Sequence, residues 1–403
     1  MSWNQRLESA LQARREQHLW RQRHTIDSPQ GVLVRVEGQS LINFCSNDYL
    51  GLASQGGDDL ARAAQTWQLG SGASHLVCGH SRAHHELEDA LAAHTGYPKA
   101  LLFSTGYMAN LGVISALAQR GDRILQDKLN HASLLDGAQL SRATSTRYRH
   151  QDYAHLEQLL EDSAAQGSSN ETLVISDSIF SMDGDLADAS QLAQLCSASQ
   201  SSHRQNSNHQ KPALLMIDDA HGFGVLGDHG GGVREAFNLT PEQLPVYVGT
   251  LGKALGGCGA FVAGSEALID YLVQFARSYI YTTALPPALA DAMLGNLERL
   301  KNNALRQQLR QRIAQFRFGA NELGLPLMAS NSPIQPLLIG SSDTAMVISE
   351  ELRQRGFWVS AIRPPTVPQG QARLRVTLSA AHSAEQVEAL LQALAVIKQA
   401  HGL

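Results

Sequence analysis

Short runs of apolar residues alternate with longer amphipathic stretches along most of the chain. Continuous apolar runs that lead into helical patterns are typical of strands in a parallel sheet with helices on both faces. The pattern therefore predicts an α/β fold with a mainly parallel central sheet, whose functional groups lie at the carboxyl ends of the strands. The runs lie at residues 100–103, 123–126, 173–176, 214–217, 246–248 and 260–262.

The N-terminal region has a different pattern. Trp3, Leu7, Leu11 and Leu19 recur near helical spacing among charged neighbours, which predicts an amphipathic helix within residues 1–23 that packs on the body of the protein. The Gly-bounded alternation at residues 31–38 indicates a short hairpin strand.

The rest of the chain suggests a division into domains. A long helical pattern begins after Pro286, and further strands and helices follow it. We expect an N-terminal helix and hairpin arm over 1–46, a large domain over 47–285 and a smaller α+β C-terminal domain over 286–403. Residues 198–210 are rich in Ser, Asn and Gln, so they are predicted to form a solvated surface insertion.

Composition narrows the classes of function. The chain has 403 residues, 43% of them apolar, and a formal net charge of −5, so it can bury a large core. Lys and Arg are scattered, and we expect no nucleic-acid partner. No signal peptide or uncharged run of about 20 apolar residues is present, which predicts a cytoplasmic protein without a membrane anchor. The four cysteines lie far apart and are expected to be reduced.

An acid and a histidine follow the apolar run at residues 214–217. Asp218 comes directly after this run, and His221 lies three residues further on. A carboxylate at the end of a buried strand is well placed to hold a cationic group. A helix cap, a surface ion pair or a metal pair would also explain these two residues taken alone.

One lysine lies among glycines and small apolar residues in the segment VGTLGKALGG. Lys253 is difficult to explain as a solvated surface residue, and a desolvated lysine is a nucleophile toward carbonyl groups. The segment lacks the spacing of a P-loop, and the chain has no GxGxxG fingerprint.

Asp218 and Lys253 together predict pyridoxal 5'-phosphate (PLP) as the cofactor. A lysine holds the PLP aldehyde as a Schiff base, and a carboxylate keeps the pyridine nitrogen protonated, so that the ring accepts electrons. The two residues are one βα unit apart, and PLP requires both groups.

Several segments in the same order resemble the α-oxoamine synthases, a PLP-dependent family that condenses an amino acid with an acyl thioester and releases CO2. The resemblance covers nearly the whole chain and implies a fold-type-I PLP-dependent transferase. It rests on FSTGYMANLG, DKLNHASLLDG, FSMDGDLA, DDAHGFGVLG and TLGKALGG.

This resemblance implies roles for residues around the cofactor. Gly106 and Tyr107 match the turn that holds the cofactor phosphate, where N–H groups at the start of a helix suit an anion. Thr250 matches a hydroxyl donor to the phosphate. Ser181 and His221 match groups near the phenolic oxygen of the cofactor.

The same resemblance implies residues that contact the substrate. His131 matches the histidine that stacks on the pyridine ring, faces the substrate and assists catalysis. Arg363 matches a guanidinium that holds a substrate carboxylate, for which its planar fork is suited. Arg21, Asn47 and Thr366 match other substrate contacts.

Three further segments are most similar to the family member of the biotin pathway: MSWNQRLESALQARR, INFCSNDYLGL and AIRPPTVPQGQARLRVTLSAAH. That member condenses L-alanine with a pimeloyl thioester of CoA or an acyl carrier protein, and the family implies a homodimer with its site at the subunit interface. Sibling synthases that use glycine or serine with acetyl-, succinyl- or palmitoyl-CoA share the cofactor motifs. An aminotransferase on the same fold and a non-catalytic subunit are further alternatives.

Histidines and a cysteine cluster before residue 90 in a composition that resembles a metal site. Their spacing matches no standard zinc pattern, and the family pattern has a Gly-rich loop leading into a helix here. We therefore expect no metal at this cluster, which consists of His75, Cys78, His80, His84 and His85.

Overall fold

The structure is a computed structural model, and it describes residues 1–17, 19–165, 171–198 and 212–402. The polar insertion that we predicted at 198–210 lies, apart from Ala198, outside these described residues.

Helices cover much of the described chain. A π-helical turn, His75–Gly79, precedes the third α-helix. The α-helices are α1 Trp3–Glu16, α2 Gly57–Trp67, α3 Arg82–Thr95, α4 Gly106–Leu117, α5 Ala132–Ser141, α6 Tyr153–Ala165, α7 Ala189–Ala198, α8 Val233–Ala236, α9 Glu266–Phe275, α10 Arg277–Ile280, α11 Pro287–Leu300, α12 Asn303–Glu322, α13 Ser342–Gln354 and α14 Ala384–His401.

The strands form one large sheet and two small ones. They are β1 Leu33–Val36, β2 Gln39–Asn43, β3 Lys99–Phe103, β4 Arg123–Asp127, β5 Thr144–Tyr148, β6 Thr172–Asp177, β7 Leu214–Asp218, β8 Val246–Thr250, β9 Ala260–Gly264, β10 Ile334–Gly340, β11 Phe357–Trp358, β12 Ser360–Ile362 and β13 Ala372–Thr377.

The chain divides into two compact units. Unit 1 consists of Met1–Ser54, Ser181–Asp185 and Gln307–Leu403, and unit 2 consists of Gln55–Phe180 and Leu186–Arg306.

Unit 2 contains the large sheet, with strand order β3-β9-β8-β7-β6-β4-β5. The pairs between β5 and β8 are parallel, and β9 runs antiparallel to both of its neighbours. This arrangement confirms the predicted mainly parallel α/β sheet. Buried side chains of α4 and α5, such as Val113 and Leu134, pack with strand residues such as Ile175 and Val248 in the core of unit 2.

Unit 1 contains the two small sheets. One has the order β1-β2-β11, and the other is an antiparallel sheet with the order β10-β13-β12. Every residue of β13 is buried, including Arg373 and Arg375. The small antiparallel sheet confirms the expected α+β character of the C-terminal part of the chain.

The N-terminal helix forms as predicted, but its apolar side chains do not pack. Ser2 begins α1 with a capping box, in which its side chain accepts a hydrogen bond from the Gln5 N–H. No residue of α1 is buried, and Trp3 and Leu7 are 74% and 56% exposed. In the single chain, the apolar side chains of this helix therefore do not make the expected contact with the body of the protein, whereas Arg15 near its end lines a cavity of unit 1.

Two further properties concern the described part of the chain. No helix there combines the length and the apolar character that crossing a bilayer requires. All four cysteines are free thiols, as expected from their spacing.

Candidate active site

Polar residues of unit 2 gather where neighbouring parallel strands end. Asp177, Asp218 and Thr250 are the last residues of β6, β7 and β8, which are adjacent in the sheet. His131 follows β4 and is the N-cap residue of α5. The carboxyl ends of these strands meet at one edge of the sheet, which is the usual location of a functional site in this kind of fold.

Lys253 lies in the loop after β8, beside the turn that follows β7. Its Nζ atom is 2.9 Å from Nε2 of His221. His221 is 7% exposed, and Lys253 is half-buried. The imidazole nitrogen can accept a hydrogen bond from the ammonium group, so His221 fixes the position of the amine that sequence analysis assigned to the cofactor.

Asp218 is a buried carboxylate, 6% exposed, with neutral hydrogen-bond donors. Its Oδ2 accepts a hydrogen bond from Nδ2 of Asn110 at 2.6 Å, and its Oδ1 accepts one from the N–H of Ala220 at 2.9 Å. These donors orient the carboxylate without neutralising its charge. A buried carboxylate that accepts hydrogen bonds from neutral donors favours a cationic partner.

Asn110 also connects Asp218 with His131. Nδ2 of Asn110 donates to Oγ of Ser133 at 2.9 Å, and that hydroxyl is 2.7 Å from Nδ1 of His131. A continuous chain of hydrogen bonds thus runs from the carboxylate through Asn110 and Ser133 to the imidazole. Asp218 and His131, at the two ends of this series of hydrogen bonds, were predicted from the sequence. Asn110 and Ser133, which lie between them, were not.

His131 is held at its backbone as well. Its N–H donates to Oδ2 of Asp177 at 2.7 Å. Burial lowers the pKa of His131, while the charge of Asp218 opposes that change. Burial raises the pKa of Asp177 well above its usual range, and the charge of Asp218, which lies opposite it on the neighbouring strand, adds to this effect.

The start of α4 offers free backbone donors. Thr105 caps this helix, with Oγ1 accepting a hydrogen bond from the N–H of Met108 at 3.1 Å. The N–H groups of Gly106 and Tyr107 have no hydrogen-bond partner among the described residues. A Cβ atom at Gly106 would meet only Ala260, at 3.9 Å, so an anion has room to approach.

Thr250 is placed at the same edge, but its hydroxyl is engaged. Oγ1 donates to the carbonyl oxygen of Gly259 at 3.1 Å and accepts a hydrogen bond from the N–H of Gly252 at 3.3 Å. To act as a donor to a phosphate, this hydroxyl must rotate away from Gly259.

Two residues predicted from the sequence meet in unit 1 around an arginine that was not predicted. Nη2 of Arg375 donates to Oδ1 of Asn47 at 3.1 Å, and its Nε donates to the carbonyl oxygen of Ser181 at 2.7 Å. Arg375 is only 6% exposed, and its hydrogen-bond partners in the described part of the chain are all neutral. A buried guanidinium without a carboxylate partner is suited to an anionic ligand.

The other residues predicted to bind substrate lie elsewhere in unit 1. Nη2 of Arg363 donates to the carbonyl oxygen of Trp20 at 3.3 Å, and the N–H of Thr366 donates to the carbonyl oxygen of Arg363 at 3.1 Å. Arg363 and Trp20 line a cavity of about 930 Å³, together with Trp358 and others. Thr366 and Arg21 are exposed.

Asn110 and Arg375, which were not predicted from the sequence, differ in the signal that the sequence offers for them. Asn110 lies inside the segment FSTGYMANLG that was already assigned to the phosphate turn, and a polar residue on an otherwise apolar helix was a usable signal. Arg375 alternates with Leu374 and Val376 in a strand pattern, which is typical of an exposed strand face. Its burial could only be seen in the folded chain.

Known proteins share this fold and these motifs. Residues 39–394 match the family described as aminotransferase class I and II. Together with the fold and the site, this match makes the chain a member of that class, which has the fold of the fold-type-I PLP enzymes. The 8-amino-7-oxononanoate synthase of Pseudomonas putida is 56% identical over 392 residues, which are 96% of this chain and 96% of that protein. The chain belongs to the 8-amino-7-oxononanoate synthase family.

Solved structures agree with this assignment. The 8-amino-7-oxononanoate synthase of Francisella tularensis is 31% identical, with 90% of this chain and 99% of that chain covered and a TM-score of 0.75. A serine palmitoyltransferase from S. paucimobilis, with a bound PLP–myriocin aldimine, is 25% identical. It covers 100% of both chains with a TM-score of 0.90.

Proposed function

We propose that this protein condenses L-alanine with a pimeloyl thioester, of CoA or an acyl carrier protein, in the cytoplasm. The products are 8-amino-7-oxononanoate, CO2 and the free thiol, and the reaction belongs to biotin biosynthesis. The observation that carries the proposal is the amine of Lys253, held 2.9 Å from His221 in the same unit as the buried carboxylate of Asp218. Membership of the 8-amino-7-oxononanoate synthase family supports the choice of substrates.

The residues present fit PLP as the cofactor. Lys253 offers an amine to its aldehyde, Asp218 offers a carboxylate to its pyridinium nitrogen, and the unpartnered N–H groups of Gly106 and Tyr107 suit its phosphate. The family resemblance implies that the hydroxyl groups of Thr250 and Ser181 serve the phosphate and the phenolic oxygen. When bound, PLP supplies an electron sink for negative charge that develops at the Cα atom of the amino acid.

Lys253 has two successive roles in this proposal. It first anchors the cofactor, and it then becomes the general base that removes the Cα proton of L-alanine. His221 positions the amine for both roles through the 2.9 Å contact. After C–C bond formation and loss of CO2, Lys253 returns the proton to the Cα atom.

Asp218 would hold the proton on the pyridine nitrogen of bound PLP while negative charge develops, in proton removal and in decarboxylation. Asn110 holds Oδ2 of this carboxylate at 2.6 Å, so the charge stays in place throughout. His131 assists the attack on the thioester carbonyl, and the backbone contact with Asp177 fixes its position. The new C–C bond replaces the C–S bond, and the thiol leaves.

Two arginines of unit 1 can hold a substrate carboxylate. Arg363 was predicted from the sequence, and it lines the cavity of about 930 Å³. Arg375 is buried, and it contacts Asn47, which was also predicted to bind substrate. We propose that both bind substrate and that Arg375 provides more of the affinity for L-alanine, because its buried charge has no acidic hydrogen-bond partner among the described residues.

A substrate panel tests the proposed function. The purified chain, supplied with PLP, is given L-alanine, glycine or L-serine with pimeloyl-CoA, pimeloyl-acyl carrier protein, or acetyl-, succinyl- or palmitoyl-CoA. Thiol release and product mass are measured. We expect L-alanine with a pimeloyl thioester to react fastest. Faster reaction of glycine or serine with another thioester would identify a sibling synthase.

Two other results would point to the remaining alternatives. Release of a keto acid with conversion of the cofactor to its amine form would indicate an aminotransferase. A folded chain that binds PLP without turning over any pair would indicate a non-catalytic subunit.

A further inference from the structure

His75, His80 and His84 are close in the sequence, and their side chains meet in unit 2 at the start of α3. The π-helical turn His75–Gly79 has an i→i+5 hydrogen bond from the N–H of Gly79 to the carbonyl oxygen of Ser74, at 2.9 Å. This wide turn brings Nδ1 of His75 to 3.0 Å from Nδ1 of His80. The ring centroids of His75 and His84 are 5.0 Å apart.

One ligand nitrogen from each of His75, His80 and His84 lies within 4.8 Å of the other two. Nitrogens that share a tetrahedral zinc ion, each at about 2.0–2.1 Å from it, are separated by roughly 3.3 Å. The pair formed by His75 and His80 is already close to that separation, and His80 is exposed and can rotate.

The orientation of His84 also suits a metal ligand. Its Nε2 lies 2.5 Å from the carbonyl oxygen of Leu285, and a carbonyl only accepts, so the proton is on Nε2. Ligating histidines commonly donate their other N–H to a carbonyl in this way. Nδ1 of His84 is left with its lone pair, which accepts hydrogen bonds from the N–H and hydroxyl of Ser81, at 3.0 and 2.9 Å.

His75 and His80 already hold one proton between two ligand nitrogens that are 3.0 Å apart. Between His75 and His80 a metal ion would replace the single proton that the two nitrogens now share.

A second group of possible ligands, His80, His85 and Glu88, is less suitable. Glu88 is buried, 8% exposed, and its carboxyl group is already engaged by the N–H of Leu102 at 2.9 Å. His85 is exposed and lies 3.7 Å from Asp89. The first group is therefore the better candidate.

We propose that His75, His80 and His84 form a site for one divalent transition-metal ion of the zinc type, with water at the remaining positions. Imidazole ligands suit Zn²⁺, and also Co²⁺, Ni²⁺ and Cu²⁺. Binding requires Nδ1 of His84 to release the hydrogen bonds that it accepts from Ser81, which lowers the affinity. The proposal revises the expectation that we drew from the spacing of these residues in the sequence.

The experiment measures metal binding by the full-length chain after treatment with a chelator. Zn²⁺ affinity is determined by competition with a chromophoric chelator, and Co²⁺ is added for its visible spectrum. Three variants are compared: His80→Ala, the matched control His85→Ala on the same exposed surface, and Cys78→Ser, which removes the thiol of the π-helical turn.

We expect one ion per chain for the wild type, His85→Ala and Cys78→Ser, and at least about tenfold weaker binding for His80→Ala. His80 is exposed, so this variant should keep the fold, which far-UV circular dichroism checks. Absence of one-to-one binding in the wild type would overturn the proposal. So would unchanged affinity in His80→Ala or loss of binding in Cys78→Ser or His85→Ala.

Discussion

Lys253 and Asp218 show how the surroundings of a single residue determine its chemistry. Lys253 lies in a loop of small residues with His221 as a neighbour, whereas Asp218 ends a buried strand and, among the described residues, accepts hydrogen bonds from neutral donors. We therefore expect Lys253 to take part in bond formation and Asp218 to act as a fixed partner for a cationic group.

Lys253→Ala tests the first of these roles. We expect the variant to keep its fold but to lose turnover and the visible absorbance of a lysine-bound cofactor, because no other amine replaces Nζ. Absorbance and thiol release are the measurements, and Lys301→Ala, at an exposed lysine, is the control. A fully active Lys253→Ala would rule out the assignment.

Asn110→Ala tests whether the orientation of Asp218 matters. A hydrogen bond to a charged group contributes about 1.5–3 kcal/mol, so we expect cofactor affinity or kcat to fall roughly 10–100-fold. Ser133→Ala removes the other acceptor of Asn110 but leaves its bond to Asp218, and its effect should be smaller. Equal effects of the two variants would contradict a specific role of Asn110 at the carboxylate.

Matched methionine variants distinguish the two arginines of unit 1. We expect Arg375→Met to raise KM for L-alanine by roughly 10–100-fold, since a charge-assisted pair is lost, and to change KM for the thioester little. Arg363→Met should raise KM for L-alanine less. Steady-state kinetics with each substrate varied in turn provides the comparison, and the reverse order would assign the amino-acid carboxylate to Arg363.

Candidate residues could be selected from the sequence where a motif fixed both residue type and order. Lys253, Asp218 and His131 were selected because glycines and apolar runs surround them in a recognisable sequence. Arg375 was not found, because alternation in β13 looks the same whether the polar face meets solvent or a buried polar group. Burial depends on contacts between distant segments, which spacing does not report.

Among the secondary-structure elements, the strands of the large sheet were predicted best, because most of them coincide with apolar runs in the sequence. Six of the seven strands of the large sheet coincide with predicted runs, and β5 was missed because its residues, TSTRY, are mostly polar and exposed. The helical period of α1 was recognised, but not the exposure of its apolar side chains. Periodicity predicts which side chains share a face and does not predict what covers that face.

Helix α3 contributes a pH-dependent term to the stability of unit 2. Glu88 is 8% exposed, and burial raises its pKa from 4.5 to about 8. Between these values the unfolded chain loses the proton and the folded chain keeps it, so the contribution of Glu88 to stability falls as pH rises from about 4.5 to 8.

Glu88→Gln removes this dependence while keeping an acceptor for the N–H of Leu102. We expect the variant to be more stable relative to wild type at pH 8 than at pH 5, by several degrees in Tm. Thermal unfolding at both pH values is the measurement, and the exposed Glu86→Gln on the same helix is the control. A difference in Tm that does not change with pH would show that Glu88 is ionised in the folded protein.

At the scale of the whole molecule, we predict a homodimer, as the family resemblance implies. Several large apolar side chains of unit 2 are exposed in the single chain, among them Leu69 at 90% and Tyr281 at 72%. Exposed apolar groups of this size are common where a second subunit binds. Light scattering should give twice the 43.6 kDa of one chain, and a mass of one chain at micromolar concentration would contradict the prediction.

Unit 1 is assembled from the beginning and the end of the chain, with five residues from the middle. Strand β2 pairs with β11, and Ile42 lies opposite Phe357. On a ribosome that adds about 5–20 residues per second, β2 emerges on the order of half a minute before its partner strand exists. Unit 1 can therefore complete its folding only after the segment from Gln307 onward has been synthesised.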